Sequence, residues 1–201
     1  MGGLRYVEDA LKKYFRDYAV LVALAGAIIV LDQVSKAYIR DTLAVGAIWA
    51  PWEWLAPYAR FVHWYNTGVA FGMFQGQGQI FTVLAIIVSL VIVYFFPRVP
   101  RQDWTLRLAM GMQLGGALGN LIDRLTVGHV TDFISVGTFP VFNIADASIT
   151  VGVGVLLLGV WLQERAERRQ SGADVPAEED DAQDTDISLP GETPSEMEAA
   201  Q

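Results

Sequence analysis

What most constrains this chain is its long uncharged runs with ionisable residues lodged at their ends. Ala19–Leu31, Ile80–Phe96 and Ala147–Leu162 contain no charged side chain, yet Asp32, Lys36 and Asp146 adjoin them. A helix needs about 20 apolar residues to cross a bilayer core. A charge beside such a run is costly, and a functional site is the default reading. Composition agrees: 53% of the 201 residues are hydrophobic and 18% charged, with a mean hydropathy of +0.34. That is too apolar for an ordinary soluble domain.

The pattern predicts an all-α membrane protein of four transmembrane helices, with a small extracytoplasmic interfacial segment able to form strands. The first helix covers roughly 19–39. It could be mistaken for a cleaved leader, because Ala25-Gly26-Ala27 resembles a small-residue cleavage site. The apolar run continues past that point, however, and Asp32 and Lys36 lie one turn apart on one face. The second helix runs from about Ile80 to Phe96 and stops at Pro97. The third covers about Trp104 to Ile122, where Gly111, Gly115 and Gly119 recur at four-residue intervals and invite close helix approach. The fourth covers about Ala145 to Leu162. Residues 1–18 are then a cytoplasmic N-terminal segment, 19–165 a four-helix membrane domain, and 166–201 a disordered cytoplasmic tail.

Residues 40–78 do not read as a span. Pro51, Pro57 and several glycines break them, and Trp49, Trp52, Trp54 and Trp64 crowd there, which suits the membrane–water interface. Alternation around Arg60–Tyr65 allows short strand pairing, and Gly68, Gly72, Gly76 and Gly78 mark turns.

The net charge of -8 is misleading. Residues 171–201 hold ten acidic groups and no Lys or Arg, leaving 12 acidic against 14 basic residues elsewhere. Ten of those 14 basic residues fall in the N-terminal segment, the loop after the second helix, and the segment after the fourth. By the positive-inside rule both termini lie in the cytoplasm. Asp32, Asn66, the tryptophans and the stretch from Gln113 to Asp146 then face the outer side.

Chemistry narrows quickly. Without cysteine there are no disulfides, thiol nucleophiles or thiolate metal sites. His63 and His129 supply a metal poorly and read as interface and turn residues. Asp32, Asp123, Asp132 and Asp146 remain near the outer ends. Two carboxylates in a low-dielectric site share one proton, and such a pair can deprotonate water while protonating the carbonyl it attacks. Asp146 could equally complement a helix dipole, and Asp132 could be a solvated loop charge. Asp123 reads as the ion-pair partner of adjacent Arg124. Asp32 with Lys36 reads as a pair that positions other groups. Asn120 and Arg124, one turn apart, suit a carbonyl or a phosphate, or simply tie the third helix. A dyad of Ser148 with Lys36 is a minor alternative.

Five segments in order, Leu31–Lys36, Asn66–Gly72, Gly115–Arg124, Val130–Phe133 and Phe142–Ala147, resemble the lipoprotein signal peptidase (signal peptidase II) family of bacterial aspartic membrane proteases. The resemblance spans roughly 19–165. Val69 stands where a smaller alanine is expected, and the tail has no family counterpart. The resemblance implies removal of the signal peptide from a prolipoprotein, just before a cysteine that carries diacylglyceryl. It implies Asp132 and Asp146 as the catalytic pair, and Asn66, Gly116, Asn120, Arg124 and Asn143 around the substrate cleft. Asp32 and Lys36 would support the fold beside it. It also implies an inner-membrane location with the site near the outer face. No cofactor, metal or nucleic acid is expected, the partners being prolipoprotein and membrane lipids around a monomer. The rival classes are a small ion or proton carrier using the same carboxylates, and a non-catalytic assembly protein using the glycine face.

Overall fold

The computed structural model describes residues 2–68 and 77–173. Its elements are α1 (Gly2–Thr42), β1 (Ile48–Trp49), β2 (Ala59–Asn66), α2 (Gly78–Phe95), α3 (Trp104–Thr126), β3 (Val130–Val136) and α4 (Ile144–Ala173), with a 3-10 turn, Phe96–Arg98, after α2. Val69–Gly72, the turn expected at Gly76 and the tail beyond Ala173 lie outside the described residues.

α1 is a single helix of 41 residues, about 60 Å long. The expected division at residue 18 is therefore no break in the backbone. Residues 4–18 contain neither Pro nor Gly, and Lys12 pairs with Glu8 one turn earlier at 2.6 Å. α2 ends before Pro97, which sits in the first turn of the 3-10 segment, where its missing N–H breaks no helical bond. α4 continues to Ala173, past the expected end at Leu162.

Among the described residues three helices are long and apolar enough to cross a membrane: Leu11–Thr42, Gly78–Arg98 and Ile144–Arg165. The fourth expected span, α3, does not qualify by composition, and its position explains why. It packs against α1, α2 and α4 together, with Arg107, Asn120 and Asp123 buried along it. A helix sheathed by three others meets little lipid and can carry polar side chains. The molecule is apolar outside and charged within: Leu90 and Leu157 are 64% exposed, while Asp32 and Lys36 are 0%.

The glycine row of α3 brings α1 close, as its spacing predicts. A Cβ on Gly115 would lie 2.8 Å from Ile28 Cβ, and one on Gly119 2.8 Å from the Asp32 carboxylate. Gly119 thus leaves the space that the Asp32 side chain fills. On another face of α3, a Cβ on Gly116 would lie 2.5 Å from the backbone oxygen of Ala145 in α4.

The strands form one antiparallel sheet, β1-β2-β3, so the alternation around Arg60–Tyr65 is a true strand. Trp64 pairs with Asp132 and Asn66 with Val130, with an irregularity between Phe61 and Trp64. The turn into β3 uses Gly128 at φ 85°, and the turn after it uses Gly137 at φ 52°, the left-handed region glycine tolerates. Beyond Gly137 the chain returns, and Phe142 exchanges hydrogen bonds with Ile134 (2.8 and 3.0 Å) before α4 begins. Trp49, Trp52, Trp54 and Trp64 are all exposed around this sheet.

At the opposite end of the bundle Asp17 of α1 is buried, accepting 2.9 Å bonds from Arg101 and Arg107. Arg107 also lies 4.2 Å over the Phe96 ring. This knot holds α1 to the loop between α2 and α3.

Candidate active site

Asp132 and Asp146 come together at the sheet end of the bundle from two unlike elements. Asp132 lies on β3 and is 1% exposed. Asp146 lies in the first turn of α4. Neither is a solvated loop charge.

Three asparagines bind the pair into one network. Asn66 Nδ2 donates to Asp132 Oδ2 at 2.8 Å. Asn143 Nδ2 donates to Asp132 Oδ1 at 2.7 Å. Asn120 Nδ2 donates to Asp146 Oδ1 at 2.8 Å, and the backbone N–H of Asn143 reaches Asp146 Oδ2 at 3.2 Å. All four carboxylate oxygens are therefore held by protein donors.

The direction of each amide is set by a partner that can only donate. Asn66 Oδ1 accepts the backbone N–H of Gly68 at 2.9 Å, which turns its NH2 toward Asp132. Asn143 Oδ1 accepts the Asp146 N–H at 2.9 Å. Asn120 Oδ1 accepts from the Lys36 ammonium at 3.0 Å and from Asn143 Nδ2 at 3.1 Å. Each asparagine must then present NH2 to an aspartate.

Burial, and next the negative charge of Asp146, push the Asp132 carboxyl up to about 7, against hydrogen bonds from Asn66 and Asn143 and the charge of Lys36. Near neutral pH it changes protonation state easily, as an acid–base catalyst requires.

Behind the pair sits a second layer from α1 and α3. Lys36 Nζ lies 2.8 Å from Asp32 and 3.3 Å from Asp123, all fully buried. Asp123 also faces Arg40 at 3.5 Å and accepts the Thr131 N–H at 2.9 Å. The pairing expected between Asp123 and adjacent Arg124 is not what forms, because consecutive helix positions point about 100° apart. Asp32 Oδ1 accepts the Ala145 N–H at 2.9 Å, satisfying one open donor at the start of α4. The second layer thus anchors both the strand of Asp132 and the helix of Asp146.

The family model for signal peptidase (SPase) II matches residues 24–162, which include every residue of this network. The chain belongs to the signal peptidase II family. Relatives in that family include the lipoprotein signal peptidase of Shouchella clausii (strain KSM-K16), 40% identical over 157 residues, covering 76% of this chain and 99% of the relative. That of Desulfitobacterium hafniense (strain DSM 10664 / DCB-2) is 40% identical over 148 residues, covering 72% of this chain and 94% of the relative. A bacterial membrane enzyme solved by the in meso method at 2.3 Å resolution superposes with a TM-score of 0.67 at 30% identity, covering 73% of this chain and 90% of that one. This member of the signal peptidase II family is thus a protease and a bacterial integral membrane protein.

Among the described residues Arg124 makes one long bond, 3.5 Å to the backbone oxygen of Asn120, and it lies 5.9 Å over the Phe81 ring. It borders a groove of about 290 Å³ whose lining includes Phe81, Leu84, Val88, Ala117 and Asn120. Gly116, expected beside the cleft, is buried where α3 meets α4, against Ala145, Ser148 and Ile149. The serine–lysine alternative fails on geometry: Ser148 Oγ donates to the Ala145 and Met112 carbonyls, while Lys36 serves Asp32, Asp123 and Asn120. His63 Nδ1 lies 2.8 Å from the Leu43 carbonyl, and the His129 ring sits 3.8 Å from that of Tyr65. Among the described residues no group of three or more His, Cys, Asp or Glu is placed to hold a metal.

Sequence reasoning missed Arg40 and Gln33. Arg40 continues the four-residue spacing Asp32–Lys36–Arg40 and bonds Thr131 Oγ1 at 3.1 Å, so the spacing was a usable signal. Gln33 Nε2 contacts the Gly119 carbonyl at 3.0 Å and Asp32 at 3.1 Å. It lies inside the Leu31–Lys36 segment, but its reach to Gly119 on α3 shows only in space.

Proposed function

We propose that this chain is an aspartic endopeptidase that removes the signal peptide from diacylglyceryl-modified prolipoproteins, cutting just before the lipidated cysteine. The observation that carries the reading is the joining of Asp132 and Asp146 through shared asparagines. Asn66, Asn120 and Asn143 position the carboxylates, one of which is protonated and one ionised. Arg124, with donors to spare beside the groove, receives a substrate backbone carbonyl. The groove along α2, α3 and α4 takes apolar substrate.

In this reading α3 is the fourth span, both termini are cytoplasmic, and the dyad lies near the outer face of the inner membrane. A lipid-anchored scissile bond sits at that depth. The exposed tryptophans around the sheet support such a placement. The protein acts as a monomer with membrane lipids and prolipoprotein as its partners, and it uses no cofactor. The carrier reading finds no support, since one carboxylate lies on a strand and the other at a helix start, not at mid-span.

The test is cleavage of a diacylglyceryl-modified precursor by purified protein in detergent. Asp132→Asn and Asp146→Asn should each lower the rate at least about 10³-fold while leaving the melting temperature near wild type. Full activity in either variant refutes the dyad, and loss in EDTA restored by zinc refutes the metal-free mechanism.

A further inference from the structure

We infer that the two carboxylates have fixed and unequal roles: Asp146 carries the resting negative charge and takes the proton from water, whereas Asp132 holds the shared proton and delivers it to the carbonyl oxygen. This rests on the aspartic dyad proposed above. The network holds each aspartate with two hydrogen-bond donors, so number alone does not separate them. What differs is the kind of donor and the element that carries it.

Asp146 is the third residue of α4 and Asn143 its cap. The Asn143 side chain accepts the Asp146 N–H at 2.9 Å while the Asp146 carboxylate accepts the Asn143 N–H at 3.2 Å. That is a reciprocal capping box, in which the third-position carboxylate acts as an acceptor. The first turn of a helix also favours negative charge through its aligned peptide dipoles.

The second donor to Asp146 is itself polarised by a cation. The Lys36 ammonium bonds Asn120 Oδ1 at 3.0 Å, and the same amide donates from Nδ2 to Asp146 at 2.8 Å. Positive charge on one end of the amide strengthens the N–H at the other. Asp132 has no counterpart to either device. It stands on a strand, which has little net dipole, and among the described residues neither of its donors, Asn66 and Asn143, bonds to an ammonium.

The surrounding charges leave room for only one negative charge on the pair. Lys36 and Asp32 face it from α1, Arg124 from α3 with Asp123 acting on Arg124 behind it, and the uncharged Asn66 from β2. Asp32 and Asp123 are matched by Lys36 and Arg40. Among the described residues only Arg124 is left to balance the dyad.

The step then closes on itself. Water gives a proton to Asp146 as its oxygen bonds to the scissile carbon. The carbonyl π pair moves to oxygen, which takes the proton of Asp132, giving a gem-diol. Asp132 next recovers a proton from a gem-diol hydroxyl as the carbonyl re-forms. Asp146 passes its proton to the departing nitrogen, and the C–N bond breaks. Both side chains return to their resting state.

The roles separate in pH–rate profiles of the intact protein in detergent. The acid limb of kcat/KM reports the group that must be ionised, the alkaline limb the group that must be protonated. Removing a donor from a carboxylate raises its hold on a proton. Asn120→Ala should therefore move the acid limb up by about one pH unit, and Asn66→Ala the alkaline limb up by about one unit. Interchanged limbs, or equal movement of both limbs in both variants, overturn the assignment while leaving the dyad intact. Loss of the dyad itself shows separately, as activity in Asp132→Asn or Asp146→Asn. Infrared spectra of those two isosteric proteins give a second reading that needs no asparagine variant. Near pH 5 the protonated-carboxyl band of the wild type should vanish in Asp132→Asn and persist in Asp146→Asn, and the reverse or an equal division refutes the assignment.

Discussion

Replacing Lys36 by methionine tests the second layer of the site most severely. Lys36 is 0% exposed, and its ammonium lies 2.8 Å from Asp32, 3.3 Å from Asp123 and 3.0 Å from Asn120 Oδ1. Methionine matches the length of the stem but supplies no donor, leaving two buried carboxylates with Arg40 and neutral donors alone. Removing one partner of a buried ion pair costs about 3–5 kcal/mol. For a chain of this size that lowers Tm by about 6–20 °C. Activity should fall further than stability explains, because Asn120 loses the contact that points its NH2 at Asp146. The assay is intrinsic tryptophan fluorescence on heating in detergent, beside cleavage measured well below Tm. Adding Asp123→Asn to Lys36→Met should recover about 1–3 kcal/mol through coupling of neighbouring charges, without restoring activity. A Lys36→Met protein that melts within about 2 °C of wild type, or one that cleaves normally, refutes the reasoning.

Further expectations follow from the same geometry. With the Asp132 carboxyl raised to about 7, the proton it holds is present below that value and lost above it, so kcat/KM should decline as pH rises through about 7; a rate still climbing there contradicts the shared-proton mechanism. Gly116→Ala places a methyl 2.5 Å from the Ala145 carbonyl and should cost about 1–3 kcal/mol, with cleavage reduced at least tenfold because the start of α4 moves; unchanged melting and rate would show that α3 and α4 part freely. Asp17→Asn, at the far end of the bundle, leaves Arg101 and Arg107 without their buried carboxylate and should lower Tm by several degrees. Its kcat below Tm should match wild type, and a specific loss of kcat would tie that knot to the site.

Much of the fold was readable because lipid imposes simple rules. Three helices of spanning composition, the strand at Arg60–Tyr65 and the Asp32–Lys36 pair all follow from periodicity within one segment. α1 proved longer than expected because basic residues mark an interface without ending a helix, and only Pro or Gly would have done so. α3 looked like a span by its glycine row, yet its polar content reflects neighbours that no local window reveals. The same limit hid the partner of Asp123. Adjacent Arg124 was the nearest cation in sequence, while Lys36 and Arg40 are nearest in space. The roles of the asparagines were also hidden, since an amide beside a carboxylate motif reads as readily as a substrate ligand as a brace. Which way each amide points depends on Gly68, Lys36 and the backbone of Asp146, three separate parts of the chain.

The clasp between Ile134 and Phe142 bears on how such a site tolerates change. Hydrogen bonds across it pinch off the loop from Val136 to Val141, so the path joining the two aspartates is short-circuited beneath that loop. Length added at the tip, near Thr138, hangs from the clasp and does not enter the spacing of the carboxylates. Length added between Phe142 and Asp146 has no such bypass. Added length is therefore tolerated at one point of this hairpin, while five residues away the chain is held to a single register.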